Sequence, residues 1–147
     1  MAFVMPAAIA STSEPLASLE LCEARLQLDA RYPWIVLVPR RPGLTEIEQL
    51  APDERALLME EAVLAGEAVR AMGEAIGRPI DKLNIASLGN VTSALHLHVV
   101  GRRSDDFSWP GPVWGLGEPS PWRPESLAQA GAAALQALRS RRPPAAA

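Results

Sequence analysis

The sequence is short of the residues that commit a chain to a specialised chemistry. Cys22 is the single cysteine among 147 residues, so no disulfide can close within the chain and nothing points to an oxidising compartment. Of the 14 basic residues only Lys82 is a lysine, and a net charge of −3 leaves no basic surplus; a nucleic-acid polymer is therefore not an expected partner. No apolar run approaches the roughly 20 residues that span a membrane as a helix. Met1 to Ala10 is apolar and ends in Ala8-Ile9-Ala10, but it has no Lys or Arg ahead of it and Pro6 interrupts it. A disordered leader is expected there rather than a secretory signal, with a cytoplasmic location as the default. What the chain does have is apolar content, 48% against 21% charged, enough for one domain with a real core and too little length for a second.

The pattern along the chain is that of one domain between two tails. Residues 1–14 show no periodicity and read as the leader; residues 141–147, Arg-Arg-Pro-Pro-Ala-Ala-Ala, read as a disordered tail, which leaves a domain over 15–140. Leu21 to Leu28 alternates polar with apolar residues, and Trp34 to Val38 is a short apolar run closed by Pro39. Both are expected strands. Pro52-Asp53-Glu54 opens a helix, with acids at the positive end of the macrodipole. Leu58, Ala62, Ala65, Val69, Met72 and Ile76 continue it as one apolar stripe up to Gly77. Leu83 to Leu88 and Leu95 to Val100 are two more expected strands around the turn-prone Gly89-Asn90. The stretch from Trp109 to Trp122 is a Pro-, Gly- and Trp-rich loop, and Pro124 to Arg139 is a last helix. Paired strands with one long intervening helix predict an α+β domain, an antiparallel sheet with a long central helix and a C-terminal helix against it.

The chemistry concentrates on one strand. Side chains alternate there, so Leu95, Leu97 and Val99 are expected to face the core, and Ala94, His96, His98, Val100 and Arg102 the other side. The only two histidines then share a face, and three readings are open. They can be half-exposed strand residues with no role. They can be two ligands of a metal, although a catalytic zinc normally takes three protein ligands and the chain has no third histidine. Or one imidazole attacks an electrophilic phosphorus while the second donates a hydrogen bond to the phosphate.

The run from Gly89 to Arg102 (Gly-Asn-Val-Thr-Ser-Ala-Leu-His-Leu-His-Val-Val-Gly-Arg) resembles the signature of the histidine triad (HIT) superfamily of nucleotide hydrolases and transferases, His-φ-His-φ-His-φ-φ with φ apolar. Leu95, Leu97, Val99 and Val100 fill the apolar places. Pro33 to Arg40 is similar to that family's Gly-His-φ-φ-Val-φ-Pro-Lys strand, and Trp109-Pro110-Gly111-Pro112-Val113-Trp114 resembles the tail of a bacterial subgroup. Two positions depart: Ala94 stands at the first triad histidine and Trp34 at the histidine of the upstream strand.

The resemblance implies a sheet of about five strands and a nucleotide hydrolase or nucleotidyl transferase cleaving at an α-phosphate through a nucleotidyl-histidine, with no metal and no cofactor. His96 would be the nucleophile, oriented by the main-chain carbonyl of Ala94. His98, Asn90 and main-chain N–H groups of the turn from Gly89 to Ser93 would hold the non-bridging oxygens. Asp29 falls where family members place an acid or amide on the ribose, and Asn84 near the family's polar strand residue by the phosphate; Arg102 and Arg103 would meet a polyphosphate or be solvated strand-end charges. A nucleoside phosphate is the implied small-molecule partner, and a homodimer the implied assembly. The alternative is a non-catalytic nucleotide-binding or interaction module of the same fold. Trp34 and Ala94 are expected to share a site, the indole filling the space of the missing imidazoles. Trp109, Trp114 and Trp122 can line a base pocket by stacking, but are expected rather to clamp their segment to the domain, Cys22 to be a small buried apolar residue, and Glu60 and Glu61 to lie on a plain helix face.

Overall fold

Residues 1–140 are described by the computed structural model. In chain order they form helix α1 (Ala7–Thr12), strands β1 (Ser13–Ser18), β2 (Cys22–Gln27) and β3 (Trp34–Pro39), a 3-10 turn (Ile47–Gln49), helix α2 (Pro52–Ala75), strands β4 (Lys82–Ala86) and β5 (Leu97–Arg102), and helix α3 (Pro124–Ser140). The five strands make one sheet, antiparallel throughout, in the order β1-β2-β3-β5-β4. Sheet and helices together are the α+β architecture that the paired strands predict.

Strand β3 is buried along its whole length because both faces of the sheet are covered. Ile35 and Leu37 enter the main core with Ala24 and Leu26 of β2, Leu97 and Val99 of β5, and the α2 stripe Leu58, Ala62, Ala65, Val69 and Met72. Helix α3 adds Ala130, Ala134 and Leu138 to this layer, small residues that let it approach α2 closely. Helix α2 in turn lies tight on the sheet: a Cβ on Gly101 would fall 2.8 Å from methyls of Ile80 and Val69. Trp34, Val36 and Val38 point the other way, as the two-residue period of a strand requires. With Val100 they form a second cluster closed by Ile9, Tyr32 and Val113, on which Phe3, Met5 and Trp114 pack.

Within the leader expected over residues 1–14, residues 7–12 form α1 and residues 13–14 the start of β1. Ile9 is buried in the second cluster, and the hydroxyls of Ser11, Thr12 and Ser13 donate to the carbonyls of Ala8 and Ile9. Ser13 Oγ also accepts from Arg25 of β2 at 2.7 Å. Most of what holds this segment lies on β2 and β3, so local periodicity carries no sign of it. Strand β1 is an edge strand with an irregularity between Pro15 and Ala17, the kind of place where a strand tolerates a residue without an N–H. The β5 ladder begins at Leu97 rather than Leu95. Leu95 and His96 lie just ahead of it, with the Leu95 N–H bonded to the Leu44 carbonyl at 2.9 Å. The tail expected over 141–147 lies outside the described residues.

Candidate functional site

His96 and His98 come together on the face opposite α2, at the entrance to β5, their ring centroids 4.9 Å apart. Their hydrogen bonds fix opposite tautomers. Nδ1 of His96 lies 2.6 Å from the Ala94 carbonyl oxygen; a carbonyl only accepts, so Nδ1 carries the proton and Nε2 keeps its lone pair. Nδ1 of His98 receives the indole N–H of Trp34 at 3.1 Å. An indole only donates, so His98 holds its lone pair at Nδ1 and, when neutral, its proton at Nε2. Burial, and then the charge of His96, push the His98 pKa down to about 4, which keeps that imidazole neutral at pH 7. The pair thus presents one bare nitrogen and one N–H donor.

Aromatic rings wall the pair. Trp34 meets His98 edge-on at 5.5 Å, and Trp114, from the loop after β5, packs against His98 at 5.2 Å and Trp34 at 6.0 Å. Both histidines are therefore buried, at 7% and 9% exposure. On the side of Ala94 the N-terminal segment, the Arg41 to Thr45 turn and Ser93 to Leu95 enclose a cavity of about 330 Å³. Trp34 and Ala94 do not share a site, contrary to expectation. The β3–β5 register sets Trp34 opposite Val100 and Val36 opposite His98, and Ala94 precedes the ladder, so the indole reaches His98 and not the Ala94 methyl.

The other sequence candidates fall on both sides of the site. Asn84 belongs to the histidine face, because β4 pairs it with Val100 and pairs Ala86 with His98. Its Oδ1 accepts from Arg102 at 2.8 Å, which turns its NH2 group away from the guanidinium. Asn90 and Ser93 lie exposed on the loop that leads into His96, and Gly89 there takes φ +75°, a turn conformation that favours glycine.

Arg102 does not offer its charge to a substrate. It is 1% exposed and makes five hydrogen bonds, to Asp106 twice, Asn84, Ser108 and the Gly111 carbonyl. Burial works to raise the Asp106 pKa, but bonds from Arg102 and from the Arg103 N–H hold it below the usual carboxylate range. Arg103 spends its guanidinium on Asp105 and the Pro79 carbonyl. Asp29 is likewise engaged within the chain: its carboxylate, 2% exposed, receives Arg31 through both guanidinium and main-chain N–H groups, and the Ser120 N–H at 3.2 Å. These oxygens staple the β2–β3 loop to the segment before α3, so the ribose role expected of Asp29 has no free acceptor behind it.

Two residues have partners that the sequence reading did not assign. Trp114 packs on His98 as well as on the domain, whereas Trp122 clamps its segment through a bond to the Gln27 carbonyl and Trp109 covers the Arg102 guanidinium. Glu61, on α2, is buried and accepts the N–H groups of Leu21 and Cys22 at 2.7 and 3.0 Å. Its hydrogen-bond partners lie 40 and 39 positions away, and a charged residue on a helix gives no hint of them. Burial, with Glu61 beside it, pushes the Cys22 thiol far up. A thiol so held is not a nucleophile at neutral pH. Among the described residues no three His, Cys, Asp or Glu side chains gather as a metal site, and no helix is long and apolar enough to cross a membrane.

Comparison with known proteins agrees with the fold. The model of the HIT domain family matches residues 10–105. A histidine triad protein from Sinorhizobium meliloti is 36% identical, superposes with a TM-score of 0.82, and covers 91% of this chain and 96% of its own. One from Bradyrhizobium japonicum is 34% identical with a TM-score of 0.85, over 94% and 99%, and one from Marinobacter aquaeolei 36% identical with 0.84, over 94% and 97%. No curated protein matches the sequence.

Proposed function

The chain belongs to the HIT domain family, and from that premise we propose that it is a nucleotide hydrolase or nucleotidyl transferase acting at the α-phosphate of a nucleoside phosphate ester, anhydride or phosphoramidate. The observation that carries this reading is the pair of opposed tautomers. His96 is held with Nε2 as a lone pair by the Ala94 carbonyl, and that carbonyl belongs to the backbone, so it survives the loss of the histidine side chain at position 94. His98 is held as a neutral Nε2–H donor by Trp34. In the first step the Nε2 lone pair of His96 forms the N–P bond while the bond from phosphorus to the leaving group breaks, and the leaving group departs with the electron pair and takes a proton from solvent. In the second, a water oxygen bonds to phosphorus, the N–P electron pair returns to Nε2, the spare proton goes to solvent, and the nucleoside monophosphate is released. A transferase would use another acceptor in place of water. The His98 N–H, with main-chain N–H groups of the Gly89 to Ser93 turn and the amides of Asn90 and Asn84, stabilises the charge that develops on the non-bridging oxygens. Asp29 and Arg102 are left out of this scheme, since their polar atoms are spent within the fold.

A homodimer joined at β4 fits the same reading. Strand β4 is an edge of the sheet, and Ile85 within it and Leu88 and Val91 after it are exposed, apolar residues that a second sheet edge would cover.

Rapid mixing with an adenosine phosphoramidate followed by denaturation at alkaline pH tests the chemistry. An adenylate adduct on His96 is expected, and His96→Ala should lose it and all turnover while binding AMP within about tenfold of the wild type, because the nucleophile acts in the covalent step and adds little to ground-state binding. AMP binding without any adduct in the wild type overturns the enzyme and leaves the non-catalytic nucleotide-binding module.

A further inference from the structure

The wall holds two indole N–H groups, and the His98 ring on which both pack offers one acceptor. That acceptor, Nδ1 of His98, is taken by Trp34. The N–H of Trp114 is buried and without a hydrogen-bond partner, and it is the one such buried side-chain atom among the described residues. Leaving a donor in this state costs about 1–3 kcal/mol, and each such group in a native fold calls for an explanation. The indole that carries it packs edge-on against His98, whose own Nε2–H is the donor assigned above to a phosphoryl oxygen. Replacing the ring by an apolar one would remove the cost and keep the packing, yet the sequence holds tryptophan here.

The geometry points to Trp114 as a further substrate-binding residue, whose indole N–H donates to an anionic oxygen of the nucleotide's α-phosphate beside the donor of His98. The inference rests on the nucleotide reading of this site and names a ligand contact that neither histidine supplies. An α-phosphate offers two anionic non-bridging oxygens in such a substrate and three in AMP, and two neutral donors from adjacent rings, neither able to lose its proton at pH 7, match an anionic group better than they match a cationic or apolar one. The fold leaves this N–H closed off and unsatisfied, so a phosphoryl oxygen reaches it through a small displacement of the loop that carries Trp114, and binding then satisfies it.

AMP is the probe. Of the four indole N–H resonances in a ¹⁵N spectrum, two contact the His98 ring; coupling across the hydrogen bond to His98 Nδ1 marks that of Trp34, which leaves the other as Trp114, and Trp114→Phe removes it. Saturating AMP should move it downfield together with the His98 ring signals. Trp114→Phe, which keeps an aromatic ring and removes the donor, should weaken AMP binding by about tenfold to a hundredfold, as for loss of a hydrogen bond to a charged group, without lowering the unfolding midpoint. If AMP moves the His98 signals while the Trp114 N–H stays in place, or if Trp114→Phe binds AMP as tightly as the wild type, Trp114 is a packing residue and this inference falls alone. If AMP leaves both rings of the wild type unmoved, the nucleotide reading falls and takes the inference with it. Should Trp114→Phe fail to fold, the wild-type spectrum decides the matter by itself.

Discussion

At the scale of single residues, the site works through partners that can play only one role. A carbonyl can only accept and an indole can only donate, so Ala94 and Trp34 set two chemically identical rings into opposite states. Trp34 is thus a positioning residue that acts through His98. Trp34→Phe keeps the ring and removes the donor, and three changes are expected. The His98 ring nitrogens should show a mixture of tautomers by ¹⁵N NMR, the His98 pKa should rise from about 4 toward its ordinary value, and kcat/KM should fall by about tenfold, a part of what loss of a whole oxyanion donor costs. An unchanged nitrogen signature would show that the indole packs against His98 without setting its proton. Trp34 could be quoted from the sequence as a departure, but the atom it serves could not. Which residue lies within 3.1 Å of an imidazole depends on the register between β3 and β5, and that register is not written in either strand alone.

At the scale of elements, two of the contacts between α2 and the sheet carry predictions. Glu61 reaches from α2 to the two N–H groups that open β2. Glu61→Ala leaves both buried without an acceptor and is expected to cost about 2–4 kcal/mol, from two unsatisfied groups at the usual cost of each, read as a lower urea midpoint with an unchanged m-value. A loss below 0.5 kcal/mol, taken as roughly the size of an ordinary surface substitution, would mean that water satisfies those groups. Gly101 is the second contact. Gly101→Ala drives a methyl toward Ile80 and Val69 across a 2.8 Å gap, and is expected to destabilise by roughly 1–3 kcal/mol through overpacking; compensation by Ile80→Ala in a double-mutant cycle would locate the clash. The stripe along α2 and the alternation of β5 were legible, because burial of one helix face and one strand face repeats at 3.6 and 2 residues. Helix α1 was not, because a six-residue helix has too few positions to show a period and owes its place to β2 and β3.

At the scale of the whole molecule, the burial that shapes the site also shapes stability against pH. His98 titrates near 4 in the folded chain and near 6.5 when unfolded. Between those values the unfolded chain binds a proton that the native chain refuses, so stability falls as the pH drops from 6.5 toward 4, by about 3 kcal/mol in all. Urea unfolding at pH 6.5 and 5, above most carboxylate titrations, should show about 2 kcal/mol of that loss in the wild type. His98→Gln should remove it, and a slope that persists in the variant would assign it to another group. The sequence by itself determined the α+β class, the long helix, and the strand that carries His98 with His96 just ahead of it, since each rests on spacing within one segment. It also carried the HIT signature, a local pattern with Ala94 inside it. Only the tertiary structure decided what each polar atom does. Asp29 and Arg102 are charged residues at positions suited to a ligand, and both are consumed within the fold, Asp29 by Arg31 two residues on and by the Ser120 N–H, Arg102 by Asn84 of β4 and by Asp106, Ser108 and Gly111 of the loop that follows it. Trp114 looks like its neighbours Trp109 and Trp122 in a Pro-rich loop, yet it alone of the three packs on His98. Hydrogen bonding is short-ranged and directional, so its outcome is set by which groups the folded chain brings within about 3 Å, and spacing along the sequence does not encode that distance.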